Sequence, residues 1–93
     1  LLYKPENILV SSGAKQTCFN LFQAILEHNK EAVIISPYWV SYPDMVMLAG
    51  GVPVIVEVGI GDHFKLSAEK LEAAITPKTR LLMLNSPSNP TGV

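Results

Sequence analysis

One cysteine, one tryptophan and one arginine are all that the 93 residues hold of those types, and the scarcity of cysteine closes off a class of fold. Cys18 alone excludes an internal disulfide framework, which makes a reducing, cytoplasmic setting the default expectation. With His28 and His63 far apart in the chain, no metal-ligand spacing can be read and no metal site is expected. Charge is sparse too: 16% of the residues are charged, 7 basic against 8 acidic, for a net charge of −1. That balance gives no electrostatic footprint for nucleic acid or an anionic membrane, so neither is an expected partner. No apolar run reaches the roughly 18 residues of a membrane span. The opening Leu1-Leu2-Tyr3-Lys4-Pro5 has neither a charged leader nor an initiator methionine, and the chain reads as an internal piece of a longer one.

What is abundant is apolar side chain. Hydrophobic residues make up 48% and the mean hydropathy is +0.29, more than a domain of this size easily hides, so part of its surface is expected to meet further protein. The whole of 1–93 reads as a single, incomplete domain. Ile8-Leu9-Val10-Ser11 reads as a short buried strand. Cys18, Leu21, Phe22 and Ile25 then recur at helical spacing, with Phe19 and Leu26 widening the stripe, which predicts a helix over 14–28. The β-branched run 32–36 predicts a strand ended by Pro37, and Pro43 with Gly50-Gly51 brackets a helix over 43–49. A third strand follows over 52–58. Ser67 is placed to cap a helix that Thr76-Pro77 ends, and 80–85 reads as a fourth strand. Strands that alternate with helical crossovers lie parallel in a sheet covered on both faces. The expected class is therefore α/β, a three-layer α/β/α arrangement around a mainly parallel sheet.

Parallel strands deliver the loops that follow them to one edge, where such sheets bind ligands. Three loops stand out there. Ser11-Ser12-Gly13-Ala14-Lys15 runs into a helix whose first N–H groups lack partners, so it suits either an anion or a plain serine-capped helix. Lys15 lies in that first turn, where the helix dipole disfavours a cation unless an anion is present. In Pro37-Tyr38-Trp39, the indole can stack on a flat heteroaromatic ring or serve as a packing anchor. In Asn85-Ser86-Pro87-Ser88-Asn89-Pro90-Thr91-Gly92, Asn89 offers donors and an acceptor between prolines, or simply forms a turn.

The segments Ser12-Gly13-Ala14-Lys15-Gln16, Ser36-Pro37-Tyr38-Trp39-Val40-Ser41-Tyr42-Pro43 and Asn85 to Gly92, in this order and spacing, closely resemble the class I aminotransferases, especially the bacterial-type aspartate aminotransferase branch. The resemblance covers essentially all of the chain, and the Asn-Pro-Thr-Gly ending is its most specific part. It implies part of the large domain of a fold-type I enzyme dependent on pyridoxal 5'-phosphate (PLP), whose parent is a cytoplasmic homodimer. Gly13, Ala14 and Lys15 would then hold the cofactor phosphate, and Trp39 would stack on the ring and border the substrate. Asn89 would contact the ring's 3-oxygen and the substrate α-carboxylate. Lys15 stands where the family often has a small hydroxyl residue, and the resemblance implies that it would instead point at the distal carboxylate of an acidic substrate such as aspartate. The resemblance also implies cis peptides at Ser36-Pro37 and Asn89-Pro90.

Such a parent moves an amino group from an amino acid to a 2-oxo acid, with aspartate and 2-oxoglutarate the favoured pair. The family's Schiff-base lysine, its ring-nitrogen aspartate and its carboxylate-clamping arginine are expected beyond the Asn-Pro-Thr-Gly stretch, so no catalytic residue is assigned within 1–93. Arg80, at the start of the fourth strand, is at the wrong end of the sheet for that clamp. The piece alone is therefore expected to be inactive. Two other readings stay open: another PLP enzyme of the same fold, such as an aromatic or alanine aminotransferase or a carbon–sulfur lyase, and a non-catalytic binding module that keeps the fold.

Overall fold

The computed structural model describes residues 1–93. Its regular elements are α1 (Ala14–Ile25), β1 (Glu31–Ser36), α2 (Ser41–Leu48), β2 (Val52–Glu57), α3 (Ala68–Ala74) and β3 (Thr79–Met83), with single 3-10 turns at Pro5–Asn7 and Ile60–Asp62. The three strands form one parallel sheet in the order β2-β1-β3. Ile34 of β1 lies between Ile55 of β2 and Met83 of β3. The chain crosses outward from β1 to β2 and returns past β1 to β3. Right-handed crossovers, the hand such connections take, then carry α2 and α3 on opposite faces.

The core follows from that winding. Ala32 and Ile34 join Phe22 and Leu26 from α1 and its end and Tyr42, Met45 and Val46 from α2 in one buried cluster. Val33, between them in sequence, is fully buried without belonging to that cluster, as a strand alternating its side chains across a doubly covered sheet requires. Ser67 caps α3 as its position predicts, its hydroxyl accepting the Lys70 N–H at 3.2 Å. Pro43 sits in the first turn of α2, where its missing N–H has no intrahelical partner to lose. Gly50, at φ 80°, turns the chain out of that helix.

Two expectations need correction. The run Ile8-Leu9-Val10-Ser11 is not a strand, and Ile8, Leu9 and Val10 are 59%, 71% and 89% exposed. A strand exists only beside a ladder; both edges of β1 are taken, and neither β2 nor β3 pairs with this run. Helix α1 also stops at Ile25 rather than residue 28, because Leu26 leaves helical geometry (φ −98°, ψ 145°) and buries itself in the core at 5% exposure. The remaining boundaries shift by one or two residues, within the ordinary fraying of element ends.

The surface is larger than a self-contained domain would show. Its 6494 Å² exceeds the roughly 5300 Å² expected for a folded monomer of this mass. Its radius of gyration of 14.1 Å exceeds the roughly 12 Å of a compact chain of this length. Leu21, Leu48 and Leu84 stand exposed, as do Ile8, Leu9 and Val10. Exposed apolar surface of this kind is characteristic of protein–protein contact.

Lys70 ties down the connection between β2 and α3. Its ammonium lies 2.7 Å from Asp62 Oδ2 and donates to the Glu57 carbonyl at 3.3 Å, while the Gly59 N–H donates to the same carboxylate at 3.2 Å. The Lys70 hydrogen bond first, and the Gly59 N–H second, hold the Asp62 carboxyl below the usual carboxylate range. A lowered folded pKa contributes stability above the ordinary value of about 4, and that contribution is lost as pH falls through the lower folded value. In the whole protein, Asp62→Asn is expected to flatten the fall in stability below about pH 4, read from urea midpoints at neutral and acid pH. Phe22→Ala, which empties a site only 1% exposed, is expected to cost about 3–5 kcal/mol in the same measurement, against about 1 kcal/mol for Ser67→Ala.

Candidate functional site

At the N-terminus of α1, Gly13 occupies the capping position at φ 84°, a conformation that a side chain disfavours, and a Cβ there would meet nothing within 4 Å. The backbone is open to an approaching ligand. No side chain caps this helix, and the N–H groups of Ala14, Lys15 and Gln16 donate to no protein acceptor. The turn before them is fixed from within. Gln16 Oε1 accepts the Ser12 N–H at 2.6 Å, Ser11 hydrogen-bonds the Thr17 hydroxyl, and the Gly13 N–H donates to the Ser11 carbonyl at 2.8 Å. Three oriented donors at a helix N-terminus, with the dipole behind them and no Cβ in the way, fit a phosphate-sized anion.

The loop after β1 begins with a cis peptide at Ser36-Pro37, as expected, and Asn89-Pro90 is cis as well; a third cis peptide, at Ser86-Pro87, is one that the resemblance does not imply. Trp39 is half-buried, packs against the core cluster and meets Tyr42 in a T-shaped contact, with centroids 5.5 Å apart and planes at 85°. Over its ring lies the Lys15 ammonium, 4.7 Å from the centroid. The first two loops therefore meet, and they do so through Lys15 and Trp39.

The third loop meets the second elsewhere. A cleft of about 400 Å³ opens at the ends of β1 and β3, walled by Pro37, Tyr38, Tyr42, Asn85 and Asn89. The Asn89 N–H donates to Asn85 Oδ1 at 2.9 Å, while its side-chain amide points into no protein hydrogen bond. Trp39 is not among the walls of this cleft. The structure thus joins Lys15 to Trp39 and Tyr38 to Asn89, and does not place the indole and the Asn89 amide against one another. Arg80 lies at the opposite end of β3, its guanidinium donating to the Pro77 and Thr79 carbonyls.

Sequence reasoning missed several of these residues. Lys65 and Phe64 reach the cleft from a connection that reads as ordinary, and no local pattern marks them. Gln16 stands third in the helix, but its side chain reaches past the Gly13 cap to Ser12, four residues back, so the capping-box pattern does not mark it. Tyr42 was legible only as a neighbour of Trp39. Its burial, and then the nearby Cys18 thiol, push its phenol above the ordinary value of 10.0.

A parallel sheet with helical crossovers is the wound α/β architecture, a class whose ligand sites lie at the carboxyl edge, where these three loops emerge. A family model described as aminotransferase class I and II matches residues 1–93, and the chain belongs to that family. It is 59% identical over 90 residues to the probable aspartate/prephenate aminotransferase of Rickettsia bellii, covering 97% of this chain and 23% of that protein. Among solved structures, the aspartate aminotransferase from Rhizobium meliloti superposes with a TM-score of 0.92 at 50% identity, over 97% of this chain and 22% of that one. The aspartate aminotransferase from Thermus thermophilus with maleate gives 0.85 at 54% identity, over 87% and 21%. The chain thus spans about a quarter of the length of the curated relatives it matches.

The phenol of Tyr42 is expected to ionise above pH 10, followed by ultraviolet difference absorbance between the whole protein and its Tyr42→Phe variant. Cys18→Ser is expected to bring that titration part of the way back down, because the thiolate is the smaller of the two causes.

Proposed function

We propose that residues 1–93 are part of the large domain of a PLP-dependent aminotransferase that takes its amino group from aspartate and passes it to a 2-oxo acid, 2-oxoglutarate foremost. The observation that carries the reading is the joining, at one edge of the sheet, of the open α1 N-terminus to the Trp39 indole through Lys15. A cofactor with a phosphate and a flat ring needs that pair of features side by side. The name of the Rickettsia bellii relative supports prephenate as a second 2-oxo acid acceptor. The Thermus thermophilus enzyme, solved with maleate, supports a four-carbon dicarboxylate as ligand.

In this reading the N–H groups at Ala14 and Lys15, with the bare backbone of Gly13, hold the phosphate, and Trp39 stacks on the ring and borders the substrate. Asn89 donates to the ring oxygen and to the α-carboxylate of the substrate. Lys15 turns its ammonium to the distal carboxylate, a point charge suited to an acidic side chain. When bound, the cofactor would supply an aldehyde carbon that takes up and returns the amino group and a ring that withdraws electron density from the substrate. The lysines of this chain are Lys4, Lys15, Lys30, Lys65, Lys70 and Lys78, and none of them follows β3, where the resemblance puts the Schiff-base lysine, so 1–93 alone is proposed to be inactive. The exposed apolar surface supports burial against the rest of the protein and a second copy, in a cytoplasmic homodimer.

Transfer from aspartate to 2-oxoglutarate, followed in the whole protein through the oxaloacetate produced, tests the activity; no oxaloacetate under any cofactor loading would defeat it. Asn89→Ala is expected to raise KM for aspartate about 10- to 100-fold, the loss of a hydrogen bond of about 1.5–3 kcal/mol to a charged group. Trp39→Ala is expected to weaken cofactor retention, measured by equilibrium dialysis, by about 0.5–1.5 kcal/mol beyond the lost contact area.

A further inference from the structure

The contact between Lys15 and Trp39 has a consequence for the order of events at the site. The Lys15 ammonium lies over the face of the indole. If that face is where a flat ring stacks, the two cannot share it. We propose that Trp39 holds Lys15 in the ligand-free protein and that ring binding displaces the lysine, so that stacking on the indole and release of the ammonium toward an anion are one coupled step. This rests on the stacking role assigned to Trp39 above and adds to it a second, alternating occupant.

Three observations decide which partner moves. Trp39 is fixed, since it packs against the core and is braced by Tyr42. Lys15 is exposed, carries a long flexible stem, and is bound by no carboxylate: the two ion pairs of the structure are Lys30 with Glu27 and Lys70 with Asp62. Asp44 borders the same groove as Lys15 without pairing with it. The backbone of the first helical turn is pinned through Gln16 and Ser12, so only the Lys15 side chain is free to leave.

The ammonium rests there for an electrostatic reason. Lys15 belongs to the first turn of α1, where the unpaired N–H groups of Ala14, Lys15 and Gln16 repel a cation. The negative face of the indole is the attraction within reach. A ring that covers this face removes the attraction and leaves the lysine beside the donors with no counter-charge, ready for an incoming carboxylate. By linkage, a carboxylate that draws Lys15 away must in turn strengthen ring stacking by the same factor.

The test uses the natural full-length chain, freed of cofactor and labelled with 5-fluorotryptophan, with the Trp39 fluorine signal assigned by Trp39→Phe. Pyridoxine, a ring without phosphate or aldehyde, serves as the probe. The expected result is that Lys15→Gln moves the Trp39 signal in the ligand-free protein and Lys15→Arg restores it. Saturating pyridoxine should bring wild type and Lys15→Gln to a common position, and Lys15→Gln should bind pyridoxine about two- to fivefold more tightly, the equivalent of one exposed cation–π contact. A difference between wild type and Lys15→Gln that persists undiminished at saturation, or a Lys15→Gln affinity equal to or weaker than wild type, overturns the displacement while leaving the stacking role intact. A Trp39 signal that ignores both pyridoxine and PLP overturns the stacking role and the displacement with it.

Discussion

Burial of β1 is the constraint on which the remainder depends. Ala32, Val33 and Ile34 are shielded from water on both faces, and their strand has a parallel neighbour on each edge. A strand so enclosed has no freedom of register, because a slip of one residue would exchange the side chains that face α2 with those that face the other layer. The chain therefore leaves β1 at one place and in one direction. Ser36, Pro37, Tyr38 and Trp39 follow at once, and α2, seated on the same strand, holds Tyr42 against the indole. The position of the aromatic plane is thus set by hydrophobic packing several residues away from it.

Electrostatics act on that frame at a single helix end. A lysine in the first turn of a helix works against the dipole, and here the cost is offset by an aromatic face. The N–H groups of that helix end meet no negative charge of the chain. Oriented N–H groups without acceptors, a glycine with no Cβ to block approach and a cation held in reserve are each weak features, and their value lies in being adjacent. Elsewhere the charged groups hold the fold itself, as in the Lys70 clamp on the β2–α3 connection.

The exposed apolar surface belongs to the same account. Only ten residues of the chain are buried, fewer than its hydrophobic content would fill, and exposed apolar side chains remain on α1, α2, β2, β3 and the run before α1. A chain that spans about a quarter of its relatives is expected to complete its layers against the remainder of such a protein.

By itself the sequence determined the alternation of helix and strand from Ala14 to Met83, because each element carries its own periodicity and its own stop signals: Pro37 after β1, Gly50 after α2, Ser67 before α3. It marked equally which loops are unusual, through the small residues Ser11-Ser12-Gly13-Ala14, the paired aromatics Tyr38-Trp39 and the prolines and asparagines of 85–92. Tertiary structure decided what local pattern could not carry. The apolar run 8–11 has strand composition and no strand, because a ladder is a property of two segments. Leu26 abandons its helix for the core. The lysine at position 15 finds Trp39, 24 residues on, only because α1 and α2 pack side by side, and Lys65 reaches the cleft of Asn89 only through the fold of a connection with no pattern of its own. Periodicity and turn chemistry are written residue by residue, whereas contacts between distant segments exist only once the core has closed.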